Sequence, residues 1–173
     1  YEDGEIQKIN LSNEESIVLQ KTNGATRHIV ADETKGILYV SDMKTQKIYI
    51  VDLQTDEVKV FVNTDNNPNT IVLSPDKKIL FVSNRGRNNP SSYYLPGPEW
   101  GSILLFDTES GELLDAIIAG NQPTALSISP NGKTLTFSNF LDKSIEVYEI
   151  PSIEELRSGN GGASSVYKDF LIK

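Results

Sequence analysis

The chain has 173 residues, 38% of them apolar and 23% charged, no cysteine, and a formal charge of −8. That length suffices for one domain-sized core. The missing cysteines exclude disulfides, thiol catalysis and cysteine-ligated metal or haem attachment within this segment, and an acidic chain lacks the basic face that nucleic-acid phosphates require. No apolar run approaches the roughly 20 residues that cross a bilayer, so no membrane insertion is expected, and the acidic, Asn- and Ser-rich balance points to an extracytoplasmic location, periplasmic or secreted.

In chain order, Glu5–Leu11 and Ile17–Gln20 read as strands. They are followed by Arg27–Ala31, Ile37–Ser41, Lys47–Leu53 and Glu57–Val62. These runs are rich in Ile, Val, Tyr and Phe and are bounded by turn residues. Asp32–Gly36, Ser74–Lys78 and Ser129–Lys133 supply proline or residues that tolerate positive φ between the strands. The segment Leu38-Tyr39-Val40-Ser41-Asp42 returns as Leu80-Phe81-Val82-Ser83-Asn84 and as Leu135-Thr136-Phe137-Ser138-Asn139, at spacings of 42 and 55 residues. The middle copy therefore carries a 13-residue insertion on a period of 42. A strand-rich period in the low forties marks a β-propeller blade.

Glu5–Leu11 precedes its counterpart Lys47–Leu53 by the same 42 residues, so the chain opens on the outer half of a blade (1–22). Full blades follow at 23–64, at 65–119 with the insertion at 88–100, and at 120–173. The last is expected to carry a short helix, 152–158, capped by Ser152 and Glu155 and stopped by Gly159, and to finish in a strand over Ser165–Ile172. The expectation is an all-β propeller of four-stranded antiparallel blades, with about 3.5 blades present. Propellers close as rings of roughly 4–8 blades, and an open ring leaves strand edges bare. A second polypeptide segment is therefore expected to complete the ring. Strand alternation places Val40, Val82 and Phe137 in the core.

The inner strand of a blade begins, and the second strand ends, at one rim of the central channel. This brings Arg27, His28, Asp42, Asn84, Asn121, Gln122 and Asn139 to one face. The insertion emerges there too: three prolines stiffen it, and Tyr93, Tyr94 and Trp100 give it an aromatic surface that loses little entropy on contact. Arg85, Arg87, Tyr93, Tyr94 and Trp100, with Asn84, Asn121, Gln122 and Asn139, are the candidate binding residues, and the alternative is an insertion folded back to bury Trp100. Arg27, His28 and Asp42 are the catalytic candidates. His28 would act as general base or metal ligand with Asp42 as its carboxylate, or else bond across blades in a structural role. Asn63–Asn67 has oxygen ligands at calcium-like spacing but lacks the glycine and closing glutamate of a calcium loop, and reads as a polar turn. No metal site and no cofactor are expected.

The run Asn67–Asn84 (Asn67-Pro68-Asn69-Thr70-Ile71-Val72-Leu73-Ser74-Pro75-Asp76 and onward to Val82-Ser83-Asn84) and the run Gln122–Lys133 resemble the YVTN-type β-propeller repeat family. The resemblance implies a ring of seven blades, and spans surface-layer proteins, periplasmic binding proteins and enzymes. The lactonase-type group often opens its blades with Pro-Arg-His; Thr26-Arg27-His28 departs at the proline. Membership would imply hydrolysis of a cyclic ester, with Arg27 holding a carboxylate or phosphate and His28 assisting proton transfer. A haem d1-binding group uses histidines as iron ligands. Since fold does not fix function, the residues favour a non-catalytic binding or scaffold propeller that presents its channel-mouth face and aromatic loop to a protein or small ligand.

Overall fold

The computed structural model describes residues 3–159 and 167–173. Its strands form four antiparallel sheets in chain order. Sheet I is the hairpin β1 (Glu5–Ile9) and β2 (Ser16–Lys21). Sheet II contains β3 (Thr26–Asp32), β4 (Ile37–Asp42), β5 (Lys47–Asp52) and β6 (Val58–Asn63). Sheet III contains β7 (Pro68–Leu73), β8 (Ile79–Asn84), β9 (Ser102–Asp107) and β10 (Leu113–Ile118). Sheet IV has three strands, β11 (Pro123–Ile128), β12 (Thr134–Asn139) and β13 (Ser144–Glu149). This is a partial β-propeller of four-stranded blades, as the 42-residue period requires.

Alternation along β4, β8 and β12 sends successive residues to opposite neighbours. Val40 packs toward sheet I with Ile6 and Val51, Val82 toward sheet II with Tyr39 and Ile71, and Phe137 toward sheet III with Phe81 and Leu105. All three are 1% exposed or less. The inner strands start with a bulge, between Thr26 and His28 in β3, Pro68 and Ile71 in β7, and Pro123 and Leu126 in β11. At each bulge the repeat serine accepts a backbone amide that the ladder leaves over: His28 to Ser41 (3.1 Å), Thr70 to Ser83 (3.0 Å) and Ala125 to Ser138 (3.3 Å). The Ser41 hydroxyl reaches onward to the next sheet, donating to the Asn69 carbonyl at 2.7 Å, whereas the Ser83 hydroxyl lies 3.2 Å from the Thr70 carbonyl of its own sheet and 3.5 Å from the Thr124 carbonyl of the next.

Helix α1 (Ile153–Arg157) follows sheet IV with the expected cap: Ser152 accepts from the Glu155 amide, and the Glu155 carboxylate accepts from the Ser152 amide. Gly159, at φ +77°, supplies the left-handed exit. Arg157 ties this helix to the end of β9 through a 2.7 Å bond from Nε to Asp107.

The end of the chain departs from expectation. Ser165 lies outside the described residues, and Tyr167–Phe170 form a single 3-10 turn instead of a fourth strand on β13. Only Ile172 pairs, and it pairs with Glu99 of the insertion. The cause is burial: Tyr167 and Leu171 each fall to 8% exposure in the cluster between sheets II and III, where Trp100 also packs. An added edge strand on β13 would bury less apolar surface. Among the described residues the blade at 120–173 has three strands, and Tyr167–Lys173 cross to an earlier joint.

Two outcomes follow for stability. Phe137→Ala empties a fully enclosed position and lowers unfolding free energy by about 3–5 kcal/mol in denaturant titration. Burial alone would raise the Asp107 carboxyl, but the Arg157 guanidinium and the Glu109 and Ser110 amides outweigh it and hold the group below its ordinary value of 3.8. A depressed folded value gives stability that is present above that ordinary value and is lost as pH falls through the folded one. Arg157→Ala therefore moves the acid-unfolding midpoint to higher pH, as followed by circular dichroism.

Candidate functional site on the channel rim

Each second strand ends at the rim in a buried polar residue. Asp42 is fully buried, and one carboxylate oxygen accepts the amides of Ala25, Lys44 and Thr45 at 2.9–3.1 Å. Gly24 lies against this carboxylate so closely that a Cβ there would land on it, which is why only glycine fits. Asn84 donates to the Val82 carbonyl at 3.2 Å, and Asn139 accepts from the Gly120 amide at 3.2 Å. All three are at most 2% exposed; Asp42 and Asn139 anchor loop amides, and Asn84 bonds within β8.

Arg27 and His28 start β3 and stay exposed at the rim. The Arg27 Nε donates to Asn69 at 3.3 Å, and the His28 Nδ1 accepts the Ile71 amide at 3.4 Å. Both bonds cross from sheet II to sheet III. Asp42, the proposed carboxylate partner for His28, makes its hydrogen bonds to backbone amides instead.

The insertion joins β8 to β9 and is braced from both ends. At its start the Arg85 guanidinium donates to the Gln122 carbonyl oxygen, and the Gln122 amide donates to the Tyr93 carbonyl at 2.7 Å. Asn121 donates through its backbone and side chain to Asp142, at 2.6 Å each. Farther along, Glu99 accepts from Arg87 at 2.6 Å and from Asn66 at 2.8 Å. The tail then clamps the insertion's end: the Trp100 amide donates to the Leu171 carbonyl (2.7 Å), the Lys173 amide to the Pro98 carbonyl (3.0 Å), and the Lys173 ammonium stands 4.2 Å from the Trp100 ring centre while also donating to Asn121. Burial pulls the Lys173 ammonium below its ordinary value, against the opposing charge of Asp142. Asp65, in the turn that superficially resembles a calcium loop, accepts from the Tyr167 and Ser102 hydroxyls. Among the described residues no group of three or more His, Asp or Glu could hold a metal ion.

The insertion therefore divides in two. Trp100 is half-buried and structural, whereas Tyr93, Tyr94 and Leu95 are 50%, 61% and 48% exposed. The Tyr93 and Tyr94 rings lie 4.0 Å apart, and Phe140, in the β12–β13 turn, continues the row 6.3 Å from Tyr94 at 47% exposure. Sequence reasoning missed Phe140, although a phenylalanine placed one residue after the repeat asparagine, in a turn, was a legible signal. It also missed the tail.

A four-stranded blade repeat with bulged inner strands and a rim of capped loops defines a β-propeller. Residues 2–155 match the model of the family described as "Lactonase, 7-bladed beta-propeller", and the chain belongs to that family. It is 44% identical over 126 residues to antigen Lp49 of Leptospira interrogans (serogroup Icterohaemorrhagiae, serovar copenhageni), a match that covers 72% of this chain and 28% of that protein. It is 27% identical over 124 residues to autophagy-related protein 18 of Ajellomyces capsulatus, covering 64% and 31% respectively. Among solved structures it resembles a putative 6-phosphogluconolactonase of Bacteroides fragilis (TM-score 0.59, 20% identity, 84% of this chain and 44% of that one). It also resembles a chain of a nidogen/laminin complex (TM-score 0.62, 16% identity, 84% and 52%). At these identities the solved structures bear on the fold alone. The chain spans less than a third of antigen Lp49 and about half of each solved propeller.

Removing the clamp frees the insertion without unfolding the blades: Trp100→Ala and Lys173→Ala each open the 88–98 segment to limited proteolysis, while the sheets keep their circular dichroism.

Proposed function

We propose that this chain is a binding propeller segment whose contact surface is the aromatic row Tyr93, Tyr94 and Phe140, with Leu95 beside it. The observation that carries this reading is the contrast between the two candidate sets. Arg27, His28 and Asp42 make cross-blade or loop-anchoring bonds, while the aromatic row stands exposed on a backbone held by Gln122. Rigid, exposed aromatics on a stiff loop are what contact surfaces use. The ligand is a protein or a small molecule, and the acidic, Asn- and Ser-rich composition supports an extracytoplasmic setting. Tyr94→Ala and Phe140→Ala, in a protein of unchanged melting temperature, abolish retention of a partner that the unaltered protein holds. A partner held equally well by both variants would sink the reading.

The second reading is a lactone hydrolase, favoured by family membership and by the exposed Arg27–His28 pair at the rim. His28→Gln then lowers turnover of 6-phosphogluconolactone at least tenfold, measured by pH-stat. The binding reading expects no turnover above the spontaneous rate from either protein.

A further inference from the structure

The chain is acidic overall, with a formal charge of −8, but that charge is divided unequally between the two faces of the propeller. On the face opposite the rim, the β1–β2, β5–β6 and β9–β10 turns hold acids alone: Glu14, Glu15, Asp56, Glu57, Glu109 and Glu112. Strands β3, β5, β9 and β13 also end there, in Asp32, Asp52, Asp107 and Glu149. The bases of that face, Lys77, Lys78 and Lys133 among them, are outnumbered. On the rim the balance reverses. Its connections and the tail carry Lys44, Arg85, Arg87, Lys143, Lys168 and Lys173 against Asp65, Glu99, Asp142 and Asp169.

Part of this positive charge gathers at the aromatic row, around the β10–β11 connection. The Gln122 side chain accepts from the Arg85 guanidinium and donates to the Tyr93 carbonyl. The Gln122 backbone carbonyl accepts the Phe140 amide at 3.0 Å, and the Asn121 side chain accepts from the Lys173 ammonium. Lys143 stands exposed in the β12–β13 turn that also carries Phe140. Among the described residues no ion pair engages Lys143 or Lys173. The acid of the same turn, Asp142, is bonded to the Asn121 backbone and side-chain amides.

We infer that the rim takes an acidic polypeptide segment, whose apolar side chains lie on Tyr93, Tyr94, Leu95 and Phe140 while its carboxylates meet Lys143 and Lys173. This rests on the aromatic row as the contact surface and adds the class of partner. An anion is repelled by the chain as a whole, so a local reversal of sign both selects an acidic partner and steers it to this face. The rings favour a peptide over a sugar chain. Tyr93 and Tyr94 lie 4.0 Å apart at 34° and cover part of each other, and Tyr94 meets Phe140 at 45°. A tilted row offers no common plane for a sugar ring, but suits the edges of aromatic and branched side chains.

The probe is a glutamate–tyrosine copolymer, poly(Glu,Tyr), titrated into the fluorescently labelled protein, with poly(Lys,Tyr) and heparin as comparators. Poly(Glu,Tyr) binds saturably, at least about fivefold tighter than either comparator, and more weakly at high salt, because exposed charges are screened. Lys143→Glu weakens it about fivefold and Lys143→Arg keeps it, whereas Lys133→Glu, the same reversal on the opposite face, changes it less than about twofold. Absent binding, equal or tighter binding of a comparator, or equal losses from Lys143→Glu and Lys133→Glu overturns the inference. Tyr94→Ala separates the two readings. If it abolishes copolymer binding while Lys143→Glu leaves binding intact, the aromatic row stands and the acidic partner falls. The reverse pattern removes the row, and with it this inference.

Discussion

The structure depends on a serine hydroxyl placed where two blades meet. A bulge at the start of each inner strand turns one amide out of the ladder, and a buried amide without a partner costs about as much as a lost hydrogen bond. The serine of the adjacent strand accepts that amide, and at the joint of sheets II and III Ser41 passes its own proton to the next blade. One side chain therefore satisfies the irregularity inside a blade and fixes the spacing between blades. The apolar layers of Tyr39, Val82, Phe81 and Phe137 supply most of the burial that holds the sheets together. They are non-directional, and the serine gives them a register.

The rim is built on the same economy of polar groups. Asp42, Asn84 and Asn139 occupy one repeat position: Asp42 holds the loop beyond its strand, Asn139 holds the Gly120 amide ahead of β11, and Asn84 bonds back to Val82 in its own strand. Residues this deeply buried are poorly placed to meet a substrate. His28 and Arg27 are exposed, yet they too are engaged across the joint. What the rim leaves exposed is aromatic: three rings from two blades, on or beside an insertion that half-buries its tryptophan and shows its tyrosines.

Much of this was legible in the residues. Strand positions, the buried Val40, Val82 and Phe137, the helix cap and the place of the insertion all follow from local rules: alternation, turn chemistry and a fixed period. The fate of Trp100 was not legible, because it depends on Leu171 and Lys173, more than seventy residues away in the sequence. Over the described part of Ser165–Ile172, Tyr167–Phe170 form a 3-10 turn instead of the expected strand for the same reason. Its apolar residues fit a strand as well as they fit the groove between sheets II and III, and the groove's value is invisible until both sheets exist. Phe140 went unnoticed since its significance lies in Tyr94, a residue of another blade.

The tail has a consequence in time. Asp65 waits for Tyr167, 102 positions later, and Trp100 for Lys173. During synthesis from the N-terminus, sheets II and III are complete while the residues that clamp them are still unmade. The insertion is thus born loose, and it is clamped only once Leu171–Lys173 have been made and can reach back. Contacts of such long separation form late because their loop entropy is compensated only after the framework stands. The order of assembly is written into the distance between Tyr167 and its aspartate: blades first, joints next, rim last.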